Sequence, residues 1–198
     1  LNEYRIIEEE FESQTIRNNN PAPSHSDINS TNSMEKEMPF MKFDAIMHIS
    51  FYTTQLDKMV DFYTNVLGAK QKVIVRYKEY LNHPERKAMY QKALTSPDDI
   101  FYTYLELAPG QFIEPFPAAP DQKPHRSWNE AADYSHFALT VPDIHEASRI
   151  LQQRGLKPDT AISRGPSHTY QQWFHDPDGN KFELMQLTDQ SWQVTGHC

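Results

Sequence analysis

Two histidines and two glutamates stand at matching points of this chain. His48 lies in Met47-His48-Ile49-Ser50-Phe51-Tyr52, and His136 in Tyr134-Ser135-His136-Phe137-Ala138-Leu139-Thr140-Val141. Glu114 follows in Gln111-Phe112-Ile113-Glu114-Pro115-Phe116, and Glu183 in Lys181-Phe182-Glu183-Leu184-Met185-Gln186. Two imidazoles and two carboxylates make a donor set for one divalent metal ion, with mixed His and carboxylate ligands suiting Zn, Ni, Co, Mn or Fe. In a strand, residues two apart share a face. His48 then shares its face with Ile46, Ser50 and Tyr52, while Ile49 and Phe51 point the other way. Phe182 and Leu184 flank Glu183 and face the side opposite to it. Ionisable groups on interior strand faces are costly unless something pairs them. A divalent cation does so and keeps the carboxylates ionised. Any one of the four alone reads as an ordinary strand residue; the matched set argues for the metal.

The elements that must position these residues repeat. Ile46–Thr53 has strand character, and Leu56, Met59, Val60, Tyr63 and Leu67 then follow helical spacing up to a stop at Gly68. Gln71–Tyr77 returns to β character, and Phe101–Leu107 with Phe112–Phe116 predicts a hairpin about Ala108-Pro109-Gly110-Gln111. The order strand, helix, three strands then recurs. Tyr134–Val141 predicts a strand, Ile144, Ala147, Ile150 and Leu151 a helix capped by Asp143 and ended by Gly155, and Leu156–Ser163 the next strand. Thr169–Phe174 and Lys181–Leu187 flank the turn sequence His175-Asp176-Pro177-Asp178-Gly179-Asn180. From His48 to Leu56 is eight residues, as it is from His136 to Ile144. From His48 to Gly68 is twenty and from His136 to Gly155 nineteen. His-to-Glu separations differ, 66 against 47, and the excess falls in a polar, partly helical insertion, Lys78–Asp99. Such an internal repeat predicts an α+β fold of two βαβββ modules, about 45–118 and about 134–188, in one domain of residues 43–190.

Outside that domain the chain reads differently. Residues 1–42 carry a Glu8-Glu9-Glu10 run and the loop chemistry of Asn18-Asn19-Asn20-Pro21-Ala22-Pro23-Ser24. With little to bury, this segment is predicted to be a disordered extension, apart from a short helix near Glu3–Phe11. Residues 191–198 are predicted to be a C-terminal tail. The 198 residues hold 19 Lys and Arg against 27 Asp and Glu, a net charge of −8, which argues against a general nucleic-acid binder. Cys198 is the only cysteine, so no disulfide closes within the chain and a reducing compartment is the default. No apolar run reaches membrane-spanning length and no signal-peptide pattern opens the sequence, so a cytoplasmic protein with no membrane partner is expected.

These residues together resemble the vicinal oxygen chelate superfamily of glyoxalases, bleomycin resistance proteins and dioxygenases. The first module carries His48, then Asp61-Phe62-Tyr63 and Val66-Leu67-Gly68; the second carries His136 and then Asp176-Pro177-Asp178-Gly179-Asn180 before Glu183. The resemblance implies two modules curling into a pair of curved, mixed-sheet half-barrels around a metal held from the first and last strands of each. Carried over by position, the ligands are His48, Glu114, His136 and Glu183, a quartet that most resembles glyoxalase I. The chemistry so implied is a lyase or isomerase reaction by proton transfer on a small α-hydroxycarbonyl or thiol-adduct substrate, through a metal-bound enediolate. Glu183 is its first-choice base and Glu114 the partner across the ion. A homodimer is also implied, with the modules pairing within one chain or across two.

Two positions depart from the glutathione-using members, which commonly have an arginine four residues past the first ligand and an asparagine four past the second. Here they are Tyr52 and Ala118, so another thiol adduct or an unrelated α-hydroxycarbonyl compound comes into play. The insertion, with Arg76, Tyr77, Tyr80, Arg86 and Lys87, is a candidate for shaping the pocket instead. Other members use only a triad, here His48, His136 and Glu183, for Fe(II)-dependent ring cleavage or thiol transfer, and others bind a small molecule without turnover. A carboxylate at Glu114 favours the four-ligand site. His145 is expected on a helix surface, His175 at a hairpin tip, and His83, His125 and His168 in loops. Trp173, Tyr102 and Tyr104 are expected in the core or the pocket wall.

Overall fold

Strand alternation sets the first sheet. In β1 (His48–Thr53), Ile49 and Phe51 turn inward while His48, Ser50 and Tyr52 stay exposed. β1 pairs in parallel with β4 (Gln111–Pro117), which pairs antiparallel with β3 (Ile100–Ala108), and β3 with β2 (Lys70–Arg76). The second sheet repeats this order: β5 (His136–Thr140) lies parallel to β8 (Lys181–Gln186), then come β7 (Tyr170–His175) and β6 (Ser163–Arg164). Two four-stranded mixed sheets of identical topology thus confirm the predicted α+β duplication. The computed structural model describes residues 45–123 and 134–197. The predicted extension 1–42, its short helix and His125 lie outside the described residues.

Helix α1 (Leu56–Asp61) continues as a π-helical turn, Phe62–Val66, and Gly68 ends it at φ +82. The insertion holds a 3-10 turn, Tyr77–Tyr80, and α2 (Lys87–Thr95). Helix α3 (Ile144–Gln153) starts as predicted at Asp143, whose carboxylate accepts from the backbone N–H groups of His145 at 2.9 Å and Glu146 at 3.0 Å. Met59, Phe62 and Tyr63 from the first helix meet Phe137, Phe174, Phe182 and Leu184 from the second sheet, with Leu105 and Ile113 from the first and Ile144 and Leu151 from α3. Burying each such side chain contributes roughly 1.5–3 kcal/mol. Each sheet therefore spends one face on a shared core and turns the other face away from it. Among the described residues no helix is long and apolar enough to cross a membrane.

Two expectations need correction. Leu156–Ser163 is not a continuous strand, since only Ser163–Arg164 ladders with β7. Pro158 has no N–H to donate, and apart from one backbone bond from Asp159 to Trp173, side chains replace the ladder here. The Gln172 amide donates to the Thr160 carbonyl at 3.0 Å, and the Trp173 backbone N–H to the Thr160 hydroxyl at 3.1 Å. The end of the chain is not a plain tail either. Trp192–Thr195 forms α4, seated on the β6–β7 loop by a bond from the Trp192 N–H to the Ser167 carbonyl at 3.0 Å and one from the Ser191 hydroxyl to the His168 carbonyl at 3.2 Å.

Candidate functional site: two histidine–glutamate pairs

The parallel pairing of β1 with β4 sets Ser50 opposite Glu114, and that of β5 with β8 sets Ala138 opposite Glu183. In both sheets the glutamate therefore stands beside the residue two past the histidine, on the open face. Two like arrangements follow. His48 Nε2 lies 3.3 Å from Glu114 Oε2, and His136 Nε2 lies 3.8 Å from Glu183 Oε2. The histidine side chains are 38% and 33% exposed, whereas both glutamate side chains are 8% exposed. Each carboxylate is thus sunk in the sheet while its imidazole reaches toward solvent.

Neighbours orient the donors. His136 Nδ1 is 2.9 Å from the Ser135 hydroxyl, which leaves Nε2 for Glu183, and its ring meets Trp173 edge-on at 4.6 Å. His48 sits 5.7 Å from the Tyr104 ring, and the Tyr104 phenol stands close enough to Glu114 to feel its charge. Burial, then the neighbouring Glu114 carboxylate, hold the Tyr104 phenol far above its ordinary range. Burial pushes the Glu183 carboxyl up, and the adjacent His136 pulls it part of the way back. Tyr102, Tyr104 and Trp173 line the open faces as walls, in keeping with the sequence expectation.

The four predicted ligands are thus brought together as two pairs. Among the described residues no group of three or more His, Cys, Asp and Glu side chains gathers closely enough to hold a metal ion. Each sheet supplies two donors, and the shared core keeps the two open faces apart. Sequence reasoning also passed over His175. It ends β7 rather than sitting at a turn tip, and its Nδ1 is 2.8 Å from Asp159, with Lys181 4.0 Å from the same carboxylate. Only the pairing of residue 159 with β7 reveals that contact, through the bond from the Asp159 N–H to the Trp173 carbonyl at 2.8 Å.

The family model of the Glyoxalase/Bleomycin resistance protein/Dioxygenase superfamily matches residues 45–184, well over half of the chain. The chain belongs to this superfamily. Among solved members, it is similar to the glyoxalase family protein from Enterococcus faecalis (TM-score 0.55, 23% identity, covering 73% of this chain and 99% of that one). It is also similar to a glyoxalase/bleomycin resistance protein/dioxygenase from Nocardioides (TM-score 0.52, 16% identity, covering 76% and 87%). At these identities the likeness is one of fold. A curated relative, a probable chloroplastic lactoylglutathione lyase of Arabidopsis thaliana, is 24% identical over 146 residues. That match takes in 71% of this chain and only 35% of the relative, so the chain spans about a third of that protein's length. Superfamily membership accounts for the duplicated topology.

Proposed function

We propose that this superfamily member is a metal-dependent lyase or isomerase of glyoxalase type, acting by proton transfer on a small α-hydroxycarbonyl or thiol-adduct substrate. The observation that carries the reading is the equivalence of the two pairs, a buried carboxylate beside an outward imidazole at the same register position in each sheet. The donors fit a divalent cation in kind: buried carboxylates, each flanked by one imidazole, are what such an ion would stabilise. They fit in number only when two open faces meet, as they would in a homodimer that sets His48 and Glu114 of one copy against His136 and Glu183 of another. A divalent ion at that junction would supply Lewis-acid polarisation of a substrate carbonyl.

The chain's own residues would do the rest. Glu183 takes a proton from the carbon beside the carbonyl and returns it to the neighbouring carbon. Glu114 would face it from the opposite half. The buried setting of both carboxylates limits competing proton exchange with water. Tyr52 and Ala118 provide no charged side chain for a glutathione tail, so the proposed substrate is not tied to that thiol.

The test is metal content and turnover of α-ketoaldehyde–thiol adducts by the wild type, Glu183→Gln and Glu114→Ala. About one transition-metal ion per chain is expected in the wild type, with weaker binding in Glu114→Ala and at least a hundredfold loss of turnover in Glu183→Gln. Full activity of Glu183→Gln would overturn the assignment of the base. Metal binding and turnover undiminished in Glu114→Ala would favour the three-ligand alternative.

A further inference from the structure

The open face of the first sheet is aromatic well beyond His48. Ring centroids run Tyr52–Phe116 at 5.5 Å, Phe116–Tyr102 at 5.2 Å, Tyr102–Tyr104 at 5.4 Å and Tyr104–His48 at 5.7 Å. Tyr102, Tyr104 and Phe116 are half-buried, so each keeps part of a ring for contact with something else.

The insertion is fastened to the same wall. The Tyr77 N–H donates to the Asp99 carbonyl at 3.1 Å, and the Lys78 N–H to the Pro97 carbonyl at 2.8 Å, closing the segment at its base. Tyr77 and Tyr80 both pack on Phe101, at 5.2 and 5.4 Å, and Phe101 packs on Phe116 at 5.4 Å. Beyond Tyr80 the chain turns through a bond from the Arg86 N–H to the His83 carbonyl at 3.0 Å, which sets exposed Arg86 at the start of α2. Lys78 and Lys92 of the insertion pair with Asp98 and Asp99. Arg86 pairs with no carboxylate among the described residues. The His83 ring of this turn meets the Tyr80 ring edge-on at 6.3 Å, and the Arg86 charge acts on the Tyr80 and Tyr102 hydroxyls as well as on the adjoining Glu85.

We propose that this face is a specificity wall for a substrate with a flat, aromatic body laid on Tyr102 and Phe116 and an anionic end held by Arg86. The inference rests on reading the His48–Glu114 face as one side of the substrate site. An unpaired guanidinium at the rim of an aromatic platform matches such a compound in both charge and shape. It also supplies a cation from the insertion where residue 52 is an aromatic one.

Calorimetric titration of the full chain with three probes tests it: 3-phenylpropionate, its neutral counterpart 3-phenylpropanol, and butyrate, which lacks the ring. 3-Phenylpropionate is expected to bind at least about fivefold more tightly than either of the others. Arg86→Ala removes its advantage over the alcohol and leaves the alcohol unchanged, and Arg86→Lys restores part of it. Tyr102→Ala weakens both phenyl probes and leaves butyrate alone. Thermal melting of each variant checks that it is folded. Wild-type affinity for 3-phenylpropionate in Arg86→Ala, butyrate binding as well as the phenyl acid, or no probe binding at all overturns the proposal. Metal content of the same preparations separates this inference from the reading it rests on. Bound metal without ring or charge selectivity refutes the wall alone, and selectivity without metal refutes the metal site alone.

Discussion

Tyr104 is the residue that most distinguishes one half of the site from the other. It sets a phenol beside Glu114, whereas Glu183 has Trp173 across from it. Tyr104→Phe removes the hydroxyl beside Glu114 and little else. It should weaken metal binding or turnover about 10–100-fold while shifting the melting temperature only slightly. Metal titration and melting of the variant decide this, and unchanged affinity and turnover would show that the hydroxyl does not orient Glu114. The matched His and Glu positions were legible from the repeat, and the superfamily resemblance singled them out as ligand candidates. The place of Tyr104 was not legible. A plain hairpin with Ala108 opposite Gln111 would set Leu105 across from Glu114. A register shift between Glu106 and Ala108 sets Leu105 against Ile113 instead, and that register carries Tyr104 to Glu114. Local sequence does not announce such a bulge. His175 was misplaced for a related reason, since its partner Asp159 belongs to a segment without regular structure.

At the scale of elements, the unequal spacings of twenty and nineteen residues have a local cause. The first helix closes with a wide turn, the Leu67 N–H reaching the Phe62 carbonyl five residues back at 3.1 Å, while α3 stays α-helical throughout. The two helices and most strand positions were readable from apolar periodicity. The wide turn, the shortened β6 and α4 were not, because tertiary contacts rather than local preference decide them. One tertiary tie can be tested directly. Tyr63 of the first helix donates to Asp176 of the β7–β8 turn at 2.9 Å, and Asp176 also accepts from the Asn180 backbone N–H and side-chain amide, each at 2.9 Å. Tyr63→Phe should lower the unfolding free energy by about 1.5–3 kcal/mol in a urea titration, as for a buried bond to a charged group. Burial and Asp176 hold the Tyr63 phenol well above its ordinary 10.0. The unfolded phenol ionises near 10.0 while the folded one stays neutral, so this contribution is intact below that pH and is lost as pH rises beyond it. The wild type should therefore lose stability more steeply than Tyr63→Phe between about pH 9.5 and 11. Parallel slopes would remove Tyr63 from the account.

For the whole molecule, the two pairs on separate open faces make a prediction about assembly. One variant carries His48→Ala with Glu114→Ala, and the other His136→Ala with Glu183→Ala. Each alone should be inactive. If sites form between copies, random mixing rebuilds one intact site in half of the dimers, so about a quarter of wild-type activity should return. No recovery, with mixed dimers shown to form, would mean that the pairs meet within one chain. The superfamily fold and the duplication were legible from the repeat, but the separation of the pairs was not. It depends on the helices packing between the sheets, which no strand pattern encodes. The inequality of the modules has a further consequence. With Glu183 as the proposed base, a returning proton would reach a planar carbon from one side only. Here one side carries Tyr104 and the arginine-tipped insertion, and the other Trp173, His175 and Lys181. A cleft formed where two such faces meet, as proposed, would be chiral in its chemistry as well as in its backbone, and its product should be a single enantiomer, which chiral chromatography would separate from a racemate.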